Sequence, residues 1–179
     1  NKEKFEQEIP KDKKDRIVYS YPQWFVNKLK LDFPDDYLKI MKSYKKRSFL
    51  SVRYYKNKFT KEEFENLLKK IDTQILFSVE EVYYLSNANI FETKNFKSGE
   101  VVVQDASSYL AVKNLEVSQD DVVLDACSAP GGKSLAILQL FNPKILISTD
   151  IHEHKIKILE NLKNKYGYKN WKIELNDAT

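Results

Sequence analysis

The 179-residue sequence predicts an α/β protein in two parts, a small α+β segment followed by strands of a parallel sheet. Three observations lead there. Beyond residue 100, apolar strand-like runs alternate with helix-like stretches, the order that gives parallel strands joined by right-handed crossovers. Those strand runs are apolar almost throughout, as in a sheet covered on both faces. Before residue 99 the order is helices, strand, helix and short strands, which suits a small α+β domain.

Residues 1–18 hold many charges and few apolar side chains and read as a disordered lead-in. Trp24, Phe25, Leu29 and Phe33 then fall at helical spacing between Pro22 and Pro34. Asp35 or Asp36 can cap a second short helix holding Tyr37, Leu38, Ile40 and Met41. The stretch 49–55 (FLSVRYY) is rich in β-formers. Thr60 with Glu63 three residues later forms a capping box, followed by an apolar stripe of Phe64, Leu67, Leu68 and Ile71. Short strands follow at 74–77 and 81–85, and Gly99 closes a domain spanning 19–99. Residues 100–179 form the second domain. It opens with a strand at 100–104 and a helix from Ser107 carrying Tyr109, Leu110, Val112 and Leu115. The alternation proper is DVVLDA (121–126), a helix over about 133–140, KILIST (144–149), a helix over 154–166, and WKIEL (171–175).

Composition excludes several classes. One cysteine, Cys127, rules out an internal disulfide and a cysteine–histidine zinc cluster. His152 and His154 are two apart and would not share a helix face, so no metal is expected. No apolar run approaches the roughly 18 residues of a membrane span, and the charged start is no signal peptide. A cytoplasmic protein is expected. Net charge is +4 with a pI near 8.9, a mild basic bias that a lysine-rich surface explains as well as an RNA partner does. The same two readings apply to Lys45, Lys46, Arg47, Arg53 and the nearby tyrosines: ordinary surface, or a basic aromatic sheet facing RNA.

Three chemical features stand at the carboxyl ends of successive strands, the edge where open parallel sheets bind ligands. After the first strand, Pro130, Gly131 and Gly132 let a ligand approach the backbone, and the next helix offers free N–H groups. Asp150 ends the second strand about 20 residues on, where an acid accepts hydrogen bonds from ribose hydroxyls. Asp177 follows the third strand and can meet an adenine amino group. Taken singly, the glycines can merely shape a turn, Asp150 can cap a helix and Asp177 can sit in a loop. Together they describe a pocket for an adenosine-containing cofactor. Gly132-Lys133-Ser134 imitates the end of a phosphate-binding loop, but Cys127 stands where that motif needs glycine, and the adjacent glycines also break the dinucleotide pattern.

DACSAPGGKS (125–134) closely resembles the cofactor motif of the Nop/Sun family of RNA (cytosine-5) methyltransferases. VVVQDASSYL (101–110) resembles the motif that precedes it there, and YPQWF and SVRYY look like the bacterial Sun-type enzymes that modify small-subunit ribosomal RNA. The resemblance implies a Rossmann-like S-adenosylmethionine-dependent methyltransferase sheet preceded by a small RNA-recognition-like domain. It implies that Cys127, Ser128, Ala129, Pro130, Gly131, Gly132 and Lys133 wrap the methionine and ribose parts of S-adenosyl-L-methionine. Asp150 would hold the ribose and Asp177 the adenine. Family chemistry adds a cysteine thiolate to carbon 6 of cytosine, which makes carbon 5 nucleophilic toward the methyl group. Cys127 matches the cofactor-loop cysteine of the family and not its nucleophile. The catalytic cysteines are therefore expected beyond Thr179, only the first half of the sheet is expected here, and the 179-residue chain alone is expected to be inactive. Tyr55 stands where the family has an asparagine, which bears on one RNA contact, and Ser128 replaces an alanine-like position. The first strand would then be an open apolar edge, inviting self-association. Methylation of tRNA, or a non-catalytic RNA-binding module, are the other functions compatible with these residues.

Overall fold

Helical spacing of apolar residues organises the first unit of the computed structural model, Asn1–Ser48. The residues described are 9–10, 13–44 and 49–178. Among its described residues are three helices, α1 (Lys14–Tyr19), α2 (Gln23–Asp32) and α3 (Tyr37–Tyr44). The first lies largely where a disordered lead-in was expected. Asp15 accounts for it: the carboxylate pairs with Lys30 Nζ at 2.7 Å and accepts the Tyr37 hydroxyl at 3.4 Å, so one acid joins α1 to both following helices. Val26, Leu29 and Met41 form the small core. Trp24 and Phe33, expected in the stripe, are 69% and 51% exposed. Two residues of helix turn the chain by about 200°, so a helix that buries Val26 turns Trp24 outward. The rest of the lead-in (1–8 and 11–12), the basic residues Lys45, Lys46 and Arg47, and Thr179 lie outside the described residues.

The second unit, Phe49–Thr179, holds two sheets. β1 (Leu50–Tyr54), β2 (Ile75–Val79), β3 (Val82–Leu85) and β4 (Val101–Val103) make an antiparallel sheet in the order β2-β3-β1-β4. α4 (Lys61–Lys70) covers one face, packing Phe64 and Leu68 against Val52, Tyr54, Tyr83 and Leu85. The capping box at its start is formed, with the Glu63 N–H donating to Thr60 Oγ1 at 3.2 Å and the Thr60 N–H to Glu63 Oε2 at 2.8 Å. The short α5 (Lys94–Ser98) ends at Gly99, whose φ is +87°. The division drawn at residue 99 falls inside this unit, because β4 pairs with β1 through Val52 and Val103.

Asp105 caps α6 (Ala106–Lys113), accepting the Ser107 N–H at 2.9 Å. Ala106, Tyr109 and Val112 share one core with Val82 of β3 and with Ala136, Leu138, Leu146, Leu159 and Trp171. That core joins the antiparallel sheet to a parallel one. β5 (Val122–Asp125), β6 (Ile145–Asp150) and β7 (Trp171–Leu175) run parallel in the order β5-β6-β7. α7 (Gly132–Leu140) and α8 (Glu153–Tyr166) make the crossovers. The α/β class is as predicted. Burial on both faces holds for the carboxyl half of β6, where Ser148, Thr149 and Asp150 are all buried. It does not hold for β5, where Val122 and Leu124 are 60% and 62% exposed. β5 pairs only with β6 among the described residues, so one of its faces and one of its edges stay open.

Candidate cofactor-binding site

The parallel register puts the predicted residues at one edge. Asp125 stands level with Ser148 and Asp150 level with Leu175, so the turn after β5 faces the end of β6. Four polar contacts stitch them together, and a fifth closes the turn on itself. The Ser128 N–H and hydroxyl both donate to the Thr149 carbonyl, at 2.9 and 2.8 Å. Thr149 Oγ1 donates to the Ala126 carbonyl at 2.9 Å. The Ala129 N–H lies 3.4 Å from Asp150 Oδ2, and the Gly131 N–H closes the turn on the Ser128 carbonyl at 2.7 Å. The Ala129–Pro130 peptide is cis. Ser128 is buried and its hydroxyl is committed to Thr149, so it shapes the turn.

Gly131 is required twice over. Its φ of +102° is one that L side chains rarely adopt. A Cβ there would stand 2.6 Å from Leu162 Cδ2 and 3.0 Å from Leu159 Cδ2. α7 starts at once, leaving the first-turn N–H groups without helical partners at the strand ends. Cys127, Pro130 and Lys133 are exposed, and Gly132 is partly so.

Asp150 faces the turn. Its Oδ1 accepts the His152 N–H at 3.3 Å and lies 3.5 Å from Lys155 Nζ. Burial works against its charge, but the His152 amide, the Lys155 cation and the Ala129 amide outweigh it and hold the carboxyl below its ordinary value. A carboxylate offers about four acceptor positions, and these long contacts leave acceptor capacity for a ribose. The side chain keeps 6% of its surface open. Asp177 is exposed, two residues past β7, just after the Asn176 N–H donates to the Asp150 carbonyl at 3.2 Å. The turn and Asp150 are therefore in contact, and Asp177 stands nearby on the adjoining strand end. His152 caps α8 and its ring stacks on His154, centroids 5.4 Å apart. The two histidines thus meet, because the first lies outside the helix. Among the described residues there is no cluster of three or more metal-binding side chains, and no helix is long and apolar enough to cross a membrane.

Sequence reasoning missed what holds the site. Trp171 Nε1 donates to Ser148 Oγ at 2.8 Å, Ser148 to Ser134 Oγ at 2.9 Å, and Ser134 to Asp125 Oδ2 at 2.7 Å. This chain of donors ends on a carboxylate and fixes Asp125 under the turn. Gln104 was also missed; its Nε2 donates to the Gly132 carbonyl at 3.0 Å. Only the switch from apolar to polar residues within β6, from Ile147 to Ser148, hinted at Ser148.

Residues 112–179 match the family described as 16S rRNA methyltransferase RsmB/F. A probable ribosomal RNA small subunit methyltransferase B from Bacillus subtilis is 40% identical over 89 residues, 49% of this chain and 20% of the relative. Ribosomal RNA small subunit methyltransferase B from Yersinia enterocolitica is 28% identical over 148 residues, 80% of this chain and 34% of the relative. The chain thus spans between a fifth and about a third of these curated relatives. A methyltransferase homologue from Pyrococcus horikoshii has the same fold, with TM-score 0.79 at 20% identity over 95% of this chain and 57% of that one. NSun6 from Pyrococcus horikoshii, solved with SFG, gives 0.76 at 19% over 88% and 66%. The likeness to Sun-type rRNA methyltransferases read in the sequence is borne out by these matches, and the α/β methyltransferase-like fold by the solved structures.

Proposed function

We propose that this chain carries the S-adenosyl-L-methionine site of an RNA (cytosine-5) methyltransferase acting on small-subunit ribosomal RNA. The observation that carries the reading is the junction of the glycine turn with Asp150, a charged carboxylate and a side-chain-free backbone at the end of one parallel sheet. The donor set fits an adenosyl amino acid. Asp150 accepts the ribose hydroxyls, Asp177 meets the adenine, and the first-turn N–H groups of α7 receive the amino-acid carboxylate. Residues 127–133 wrap the remainder. When bound, the cofactor supplies an electrophilic methyl group. The chain's residues orient it and leave one side of the site toward RNA.

We assign no catalytic residue. Cys127, the one cysteine, lies in the turn and belongs to the cofactor loop. The antiparallel sheet with α4 is the RNA-recognition-like part in this reading, and the parallel strands are the first half of the methyltransferase sheet. The partner is ribosomal RNA, which places the protein in the cytoplasm, with no metal and no membrane required. The relatives named above favour rRNA over tRNA as the substrate, and the junction of the glycine turn with Asp150 favours an enzyme over a simple RNA-binding module. Tritiated methyl transfer to ribosomal RNA tests the assignment together with equilibrium binding of S-adenosyl-L-homocysteine. Binding without turnover by the 179-residue chain is expected. Turnover by this chain overturns the assignment of Cys127, and loss of that turnover in Cys127→Ser identifies it as the nucleophile.

A further inference from the structure

Between the antiparallel sheet and the glycine turn lies one buried amide, Gln104, 5% exposed. Its backbone N–H donates to the Ser51 carbonyl at 3.2 Å, anchoring it to β1. Its Oε1 accepts Arg53 Nε at 2.6 Å, and its Nε2 donates to the Gly132 carbonyl at 3.0 Å. A guanidinium only donates and a carbonyl only accepts, so the amide has one orientation that satisfies both. Arg53 is 3% exposed and lies over the Tyr109 ring at 5.1 Å. Its Nη2 has no hydrogen-bond partner among the described residues. No acid pairs with it in a salt bridge within the described residues. Burial of this cation is offset by one neutral amide, the Tyr109 ring and the more distant Glu81 charge, with no direct ion pair among the described residues, and an apolar replacement at such a place is often neutral or stabilising. Stability alone therefore does not account for the arrangement, whereas its geometry ends on the backbone of the glycine turn.

We propose that Arg53 and Gln104 are positioning residues: Arg53 orients the Gln104 amide, and Gln104 holds the Gly132 carbonyl so that the first turn of α7 presents its N–H groups to the amino-acid end of the cofactor. The inference rests on the cofactor site proposed above. It couples the antiparallel sheet to that site through two hydrogen bonds, so a shift of β1 moves the turn.

Gln104→Glu separates this role from a merely structural one. The new carboxylate still accepts from Arg53 and gives the buried cation a counter-charge, but it turns an oxygen instead of an N–H toward the Gly132 carbonyl. Thermal stability should be unchanged or higher. Affinity for S-adenosyl-L-homocysteine should fall about five- to tenfold, the effect of one lost hydrogen bond. Affinity for adenosine, which lacks the amino-acid end, should change less than about twofold on the same reasoning. Gln104→Met, close in shape, reads the same split if the glutamate variant fails to fold. Wild-type binding with equal affinities in the variants overturns the positioning role and leaves the cofactor site standing, as does an equal loss for both probes. A wild-type chain that binds neither probe overturns the site and the inference together.

Discussion

Alanine in place of Gly131 tests the turn on which the site is built. At a φ of +102° an L side chain costs about 1–2 kcal/mol. The added methyl would also stand 2.6 Å from Leu162 Cδ2 and 3.0 Å from Leu159 Cδ2. Leu162 is only partly buried and can turn aside, but Leu159 is fully buried in the shared core and has nowhere to move. Overpacking of this kind adds about 1–3 kcal/mol, so Gly131→Ala should destabilise the second unit by about 2–5 kcal/mol in all. Gly167 supplies the control. Its φ is +71°, yet a Cβ there meets nothing within 4 Å, so Gly167→Ala should show the backbone cost alone. Urea unfolding followed by tryptophan fluorescence measures both. Trp171 is fully buried in the second unit and reports its unfolding, whereas Trp24 is 69% exposed and changes little. A Gly131→Ala penalty no larger than that of Gly167→Ala would refute the close packing of the turn against α8.

Two further outcomes follow from the same geometry. The Asp150 carboxyl is held below its ordinary value of 3.8, so its contribution to stability is fully present above that pH and is lost as pH falls through the lower folded value. Acid unfolding of Asp150→Asn should therefore differ from wild type above pH 3.8 and converge with it below, and parallel profiles would show that the charge is not stabilised. The open edge of β5, with Leu124 62% exposed, should make the 179-residue chain self-associate. Light scattering should show a mass above the monomer that Leu124→Lys returns toward it, and a monomeric wild-type chain removes this expectation.

Local signals carried much of the fold. Thr60 and Glu63 formed the expected capping box because both partners lie within one turn. The strands of the parallel sheet formed at their expected places because their apolar runs are bounded by turn residues. Signals that depend on which face is buried were less readable. The stripe of Trp24, Phe25, Leu29 and Phe33 fits a helix but does not say which face meets the other helices: the core took Leu29, with Phe25 packed against it, and added Val26, while Trp24 and Phe33 stay exposed. The lead-in looked structureless because the acid that holds α1 finds its partners at Lys30 and Tyr37, far along the chain. At the site, the glycines and Asp150 were legible as positions because each directly follows or closes an apolar strand run, the glycines after β5 and Asp150 at the end of β6. Ser134, Ser148 and Trp171 were not, since a serine in a strand or helix has no meaning until its neighbour is known.

By itself the sequence determined which segments are strands, which turn admits no side chain and where a carboxylate ends a strand, because these are consequences of local sterics and periodicity. Only the tertiary structure decided that β4 joins the first sheet, that Trp171 reaches Asp125 through two serines, and that Gln104 ties Arg53 to Gly132. Hydrogen bonds between residues tens of positions apart depend on register and packing, and no local pattern encodes them.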